Sequence, residues 1–457
     1  MSKKSRDFTP QVNLQKGSFM IRQNLQNFKL GTLHKTKVIG SSGLALLMAF
    51  VKDIGLDRRL DSMFSQLKER RRGYSISAKV LVFLQMIIRG GDRLNDVDTL
   101  RSDPGLLSLM RMDHVPRPNT LADLAYKFQR RDVHRLAEIG MGLGVRALSR
   151  RKPKRVILDI DSTLIRSDMK MASKTYEGFS GFNPLLGMIR GGGLNLIGFS
   201  LFRRGNEAPQ EHNVSLVRKN ILYLESHFPA RRLVLRSDAA GYNHLLMRFC
   251  DEKKVSFVIA GRDSEAIPPL IKRIEQWTPL RGSCGKEEVG ETLHFIGPEK
   301  TGGVYRLVIV RRKNDQKALF PEFEYSYRIY VTNTAWSPTQ VVRFYRKRGD
   351  AENLIRELKE GYGLDHILAE EFLPASVFFQ LQLLAYNLVQ VFKTEYLDKS
   401  WWTFRIKQLR FRLINIAGVV VRHARRTILR LPTHYRHKVT FRKVYEKLNV
   451  RLAELRL

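Results

Sequence analysis

Cysteine is nearly absent from this sequence. Cys250 and Cys284 are the two in 457 residues, too few for a disulfide framework or a zinc cage. Long hydrophobic runs are missing as well. The greasiest stretch, Val377 to Phe392, is interrupted by Gln380, Gln382, Asn387 and Gln390 and falls short of a membrane span. The first residues, MSKKSRDFTP, lack the apolar core of a signal peptide. Acidic side chains are scarce too: 44 Asp and Glu stand against 80 Lys and Arg, a net charge of +36. So one-sided a balance works against a compact fold unless a polyanion offsets it. Nucleic acid is the commonest such partner, because each neutralised phosphate releases counterions. The expected setting is reducing and DNA-containing, a bacterial cytoplasm and its nucleoid with a nucleus as the alternative, and no membrane.

What is present can fold. Hydrophobic residues make up 43% of the chain, enough for real cores, and the length predicts two or three domains. Residues 1–37 carry eight basic side chains and one acid, Asp7; that composition suits an arm tracking a phosphate backbone or a frayed terminus. From about 40 to 150 the pattern is helical. Ser41 and Ser42 can cap one helix, Ser75 or Ser77 another that stops at Gly90-Gly91, and Asn119-Thr120 a third, LADLAYKFQRR. Helices this short, followed by Lys127, Arg130 and Arg131, fit helix-turn-helix DNA reading or any small helical domain.

After the basic bridge RRKPKR the period changes. VILDIDST alternates and is rich in β-branched residues, the pattern of a strand. Further strands are predicted at Leu185–Ile189, Leu194–Phe202, Leu233–Asp238 and Val255–Ile259, with helices over Asn213–Phe228 and Tyr242–Lys253. Three strands, then helix, strand, helix and strand, is the order of a ribonuclease-H-like α/β sheet. Gly191-Gly192-Gly193 reads as a hairpin turn, since no Lys-Ser/Thr follows to make a phosphate loop. Residues 280–336 turn β-rich again, and Ser337-Pro338 opens a helical stretch running to about 430. The predicted division is therefore a basic arm and helical DNA-binding region (1–150), a first core part (151–279), a β-rich insertion (280–336), a core-completing part (337–400) and a basic helical tail (401–457). The tail holds 15 Lys or Arg against Glu446 and Glu454. Arg422, Arg425, Arg426 and Arg430 would share one helical stripe there, suited to DNA.

Three acids stand out for chemistry. Asp159 and Asp161 project from one face of the LDIDST strand. Asp238 ends the run into RSDAAGYN, where open α/β sheets place their ligand crevices. Glu352 lies in FYRKRGDAENLIRELKEGYG; at about 100° per residue, Tyr345, Arg348, Glu352 and Lys359 fall within a stripe about 60° wide. Arg348 and Lys359 would supply phosphate-binding charge, and Tyr345 a ring and a hydroxyl. Two unit charges ~4 Å apart repel by about 4 kcal/mol at an effective dielectric near 20. A carboxylate cluster therefore calls for a cation, and oxygen-only ligands favour Mg²⁺ or Mn²⁺. Two such ions can activate a water or a 3′-hydroxyl and stabilise the leaving oxygen of a phosphodiester.

The string Tyr345-x2-Arg348-x3-Glu352-x6-Lys359 resembles the YREK signature of bacterial insertion-sequence DDE transposases, group 1 of the transposase DDE domain. LDIDST resembles that family's first Asp motif and RSDAAGYN its second; LRSDPGL, KTYEGFSGFNPLL and LLAYNL resemble one subgroup. The resemblance covers most of residues 90–430. It implies metal-dependent cleavage at the ends of a mobile element, then strand transfer into target DNA, with Asp161, Asp238 and Glu352 as catalytic metal ligands. It further implies that Tyr345, Arg348 and Lys359 hold the DNA end, and that a homodimer pairs two terminal repeats. Of the two candidates for the first ligand, Asp161 is favoured because it sits at the strand end beside Ser162-Thr163. The alternatives are a binding-only protein derived from an element, and a nuclease that never joins strands. Asp168, Asp263 and Glu360 read as solvated charges, His212 and His366 as ordinary hydrogen-bonded or exposed histidines, and Trp277 and Trp336 as packing residues.

Overall fold

The computed structural model describes residues 36–454, apart from 69–71, 111, 263–266, 281, 284, 315–323 and 425. Most of the expected N-terminal arm, together with Cys284, Asp263 and Arg425, lies outside the described residues. A nine-stranded sheet organises the rest. Its strands in chain order are β1 (Val156–Ser162), β2 (Leu185–Gly191), β3 (Leu194–Ile197), β4 (Leu233–Ser237), β5 (Ser256–Ala260), β6 (Thr278–Pro279), β7 (Glu287–Ile296), β8 (Gly303–Lys313) and β9 (Tyr325–Thr332). In space they run β6-β7-β8-β9-β5-β4-β1-β2-β3.

Within it, β3-β2-β1 form an antiparallel meander, and β4 and β5 add in parallel on the other side of β1. The parallel connections are made by helices α2 (Asn213–Glu225) and α3 (His244–Glu252), as parallel pairing requires a crossover. Gly192 and Gly193 close the β2–β3 hairpin with φ of 54° and 79°, the left-handed pair that a two-residue turn of the type I′ kind demands. The predicted hairpin is found.

The β-rich insertion extends this same sheet. β9 pairs antiparallel with β5, Val331 opposite Ile259, and β7 and β8 follow as a long antiparallel ladder. Backbone groups left open at the edge of β5 are thus paired rather than exposed.

Helix α1 (Arg130–Arg150) and helix α6 (Phe372–Tyr396) pack together and against β3. α6 is long and apolar enough to cross a membrane but is almost wholly buried in the interior. Its polar residues explain why. Asn387 accepts from the Ile197 amide and donates to the Ile197 and Gly140 carbonyls, while Gln380 donates to Ser200 O and Gln382 to Gly363 O. Inside a core such groups must be satisfied by protein, and here they fix α6 to the sheet. The N-terminal helices share this core, and Lys37–Leu457 form one compact unit. The helix predicted to follow Asn119-Thr120 starts three residues earlier, at Pro118 with Arg117 as its cap residue, and ends at Lys127. Arg130 and Arg131 open α1 rather than trail a recognition helix.

Two expectations of continuous helix fail. The stretch carrying Tyr345 to Lys359 divides into α4 (Pro338–Arg346) and α5 (Gly349–Tyr362), so the four residues do not share one stripe. Gly349 follows the break, and glycine is a poor helix-interior residue. The basic tail is not helical throughout. Gly418–His423 and Arg426–Arg430 form a hairpin that pairs with Lys37–Ile39, before a last helix over Lys438–Glu454. The β-branched run Val419-Val420-Val421 prefers a strand, and that preference outweighs a stripe of arginines spaced for a helix.

Candidate active site

The acids meet at the carboxyl ends of two neighbouring parallel strands. Asp161 is the last residue but one of β1, and Asp238 follows β4 directly, its carboxylate accepting from the Ala240 amide. Residues two apart on a strand share a face, so Asp161 sits one step above Asp159, whose partner in β4 is Arg236. Glu352 arrives from the first turn of α5.

Arg348, the cap residue of α5, is where the three converge. Its Nη2 lies 2.8 Å from Asp161 Oδ2 and 3.1 Å from Asp238 Oδ2, and its Nη1 lies 3.8 Å from Glu352 Oε1. The two aspartates therefore stand no further apart than those two contacts allow. Glu352 is the loosest member, with 64% of its side chain exposed against 13% for Asp161. Burial raises the Asp161 carboxyl to about 6, with Asp238 and Glu352 adding to the rise and Arg348 opposing it. One guanidinium does not neutralise three carboxylates; ionised, the cluster carries two excess negative charges.

That excess and the all-oxygen donor set fit a divalent cation such as Mg²⁺ or Mn²⁺. Among the described residues no three acidic, His or Cys side chains already converge on one metal-binding point. The point of convergence is the Arg348 guanidinium, a cation standing among the acids.

Of the other predicted residues, Tyr345 stands beside the cluster, where Arg348, Asp238 and Asp161 all act on its hydroxyl, and the rest make contacts of their own. Tyr345 packs on Tyr330 with ring centroids 4.6 Å apart, so one face of its ring is taken, and burial pushes its hydroxyl up to about 12. Lys359 donates to the Leu164 carbonyl at 2.7 Å, just beyond β1, and burial lowers its ammonium. Arg422 and Arg426 lie far along the chain in the C-terminal hairpin. Since Arg422 pairs with Thr427 and His423 with Arg426, the two arginines point to opposite faces. Arg422 borders a groove with Lys37, Ser108 and Asp113, and Arg426 shares the outer face with Arg430 and the exposed Ile428.

Sequence reasoning missed what lies beneath. Asp159 is 1% exposed and accepts from Arg236 Nε at 2.6 Å and Nη2 at 2.9 Å. A signal was available: LDID and RSD place Asp159 and Arg236 two residues before Asp161 and Asp238, so side-by-side strands stack one pair under the other. Exposed Tyr176 was also passed over; Asp161 and Asp238 both act on its hydroxyl, after burial and Glu177.

Carboxylates gathered at the ends of parallel strands, in a chain of net charge +36, describe a nucleic-acid-processing α/β protein. The chain belongs to the transposase DDE domain group 1 family, whose model matches residues 34–452. Membership implies a DNA-binding, nucleic-acid-cleaving enzyme and suggests transposase activity; the family typically uses divalent metals. No curated relative matches the chain.

Proposed function

We propose that this protein is a cut-and-paste transposase that cleaves DNA at the terminal repeats of its own element and joins the freed 3′-hydroxyl to target DNA. In this reading the strand order 3-2-1-4-5 is a ribonuclease-H-like core, and Asp161, Asp238 and Glu352 hold Mg²⁺ or Mn²⁺, two ions in the active complex. The observation that carries it is that three acids from distant parts of the chain touch one guanidinium. The metal, when bound, supplies Lewis acidity for phosphodiester cleavage and strand transfer.

The chain's own residues do the rest. Asp161 and Asp238 are the rigid ligands, fixed by the sheet; Glu352, on the exposed start of α5, is the ligand that closes. Arg348 offsets part of the acids' charge before DNA arrives and, as a bidentate phosphate donor, turns to the scissile region afterwards. Lys359 adds a phosphate contact beside β1, and Tyr345 acts through its hydroxyl. Arg422, Arg425 and Arg426 add DNA contacts, with the Arg426 face of the hairpin entering a groove of the duplex, a geometry that a two-stranded ribbon fits. A homodimer holds two ends together in the bacterial nucleoid, and the YREK string marks an insertion-sequence origin.

The test supplies purified protein, Mg²⁺ and labelled element ends. Nicking followed by joining is expected. Nicking alone would identify a nuclease, and end binding without cleavage a regulator. Inverted repeats bracketing the gene are the matching genomic expectation.

A further inference from the structure

Beneath the acidic cluster lies a second charged layer that the chemistry above does not use. Asp159 is gripped by Arg236 through two hydrogen bonds, and Arg190 Nε stands 3.5 Å from its Oδ2. Both arginines reach onward to the helices. Arg236 Nη1 donates to the Phe344 carbonyl of α4 at 2.7 Å. Arg190 Nη1 pairs with Asp350 Oδ2 of α5 at 2.8 Å. The layer is balanced: two guanidiniums meet two carboxylates, and Asp159, Arg190 and Arg236 are all deeply buried.

The anchored points bracket the site. Phe344 precedes Arg348 by four residues, and Asp350 precedes Glu352 by two. Buried Ala351, Leu354, Leu358 and Tyr362 seat the body of α5 in the core, but the helical break at Lys347 and Arg348 leaves its first turn, which carries Glu352, without a continuous helix behind it. Asp161 and Asp238 are placed by strand pairing, but Glu352 has no such support, and its nearest partner is a contact of 3.8 Å. We propose that Asp159, acting through Arg236 and Arg190, is a positioning residue that fixes α4 and α5 on the sheet and thereby sets the distance of Glu352 from Asp161 and Asp238. Asp159 is then no metal ligand, and Asp350 is the end of the device that faces solvent.

This inference rests on the reading of Glu352 as a ligand, and the experiment separates the two. The probe is Mn²⁺, titrated into the purified full-length protein and followed by the loss of free-ion electron paramagnetic resonance signal. The Asp350 side chain is 63% exposed, so Asp350→Asn should fold and lose less stability than Asp159→Asn, and binding is compared on the folded variant. Asp350→Asn is expected to weaken Mn²⁺ binding about tenfold, as loss of a partner that orients a ligand does, and Asp350→Glu to restore part of it. In Glu352→Gln the same change should have no further effect, because there is no ligand left to position. Unaltered Mn²⁺ binding in Asp350→Asn, or losses that add in the double variant, would overturn the positioning role while leaving Glu352 as a ligand. If Glu352→Gln alone binds Mn²⁺ like the wild type, the ligand reading fails and the positioning role falls with it.

Discussion

Asp159 and Asp161 stand two residues apart on one face of β1, yet they live in opposite electrostatic surroundings. Asp159 is enclosed by two arginines, whereas Asp161 shares a single arginine with two other acids. The same substitution should therefore move stability in opposite directions. Asp159→Asn leaves Arg236 and Arg190 buried without their shared countercharge, and breaking a buried pair in this way costs about 3–5 kcal/mol. Denaturant unfolding of the metal-free variant should show a loss of that order. A loss within about 0.5 kcal/mol would mean the layer is better hydrated than its burial implies.

Asp161→Asn should stabilise the metal-free protein at neutral pH. The Asp161 carboxyl is raised from 3.8 to about 6, chiefly by burial. A carboxyl raised on folding is favourable to the fold while protonated. That contribution is complete below the unfolded value and is lost as pH climbs through the folded one, so the cost is fully present at pH 7. Two units correspond to about 3 kcal/mol, an upper figure because the native site can relax. Unfolding measured in chelator from pH 4 to pH 7.5 should show the wild type losing stability relative to Asp161→Asn across that window. Parallel curves would reject the assignment of charge at this site.

If divalent metal relieves that repulsion, it should also stabilise the fold, since a ligand that binds only the native state raises the melting temperature. Mg²⁺ or Mn²⁺ is expected to raise the melting temperature of the wild type, chelator to reverse it, and Asp238→Ala or Glu352→Ala to blunt it. Both variants should lose cleavage of labelled element ends while retaining nearly intact binding to them, because the two acids are proposed to hold metal and the DNA contacts are assigned to other side chains. Cleavage at the wild-type rate by both would remove these two acids from the site.

The parts of this molecule that follow local rules were legible in its sequence. Alternation marked β1, β2, β4 and β5 within a residue or two, and the polar interruptions Gln380, Gln382 and Asn387 marked α6 as something other than a membrane span. What was not legible depends on pairing across distance. Nothing local states that β9 would dock on β5 and turn an insertion into more sheet. The break between α4 and α5 was hidden because the 345–362 stretch is periodic enough to read as one helix, although Gly349 hinted otherwise. The C-terminal hairpin was misread for a related reason: Arg422, Arg426 and Arg430 are spaced four apart, which pleases a helix, while Val419 to Val421 favour a strand. Partnering with Lys37–Ile39, almost four hundred residues away, decides it. Of the site, the acids and Arg348 could be named beforehand, but that Arg348 would bridge all three could not.

The same hairpin gives a prediction that depends on strand geometry. Residues 399–445 contain no Asp or Glu, so the outer face bearing Arg426, Arg430 and Ile428 would meet DNA without local repulsion. Each phosphate contact removed should flatten the salt dependence of binding by about 0.9 in log–log slope. Arg426→Ala and Arg430→Ala are each expected to reduce the slope by about that amount and to weaken end DNA and unrelated duplex alike, if both contact phosphates. A contact to a base edge would instead cost about 1–3 kcal/mol on end DNA alone. Arg422→Ala, on the opposite face and beside Asp113 in the groove with Lys37, should change the slope less than either. Equal slopes for all three variants would mean that the two faces of the ribbon are not distinguished by DNA. The helical-stripe expectation, in which Arg422 and Arg426 act together, requires the two to behave alike, so filter binding between 50 and 200 mM salt (roughly the range over which such contacts are resolved) decides between the geometries.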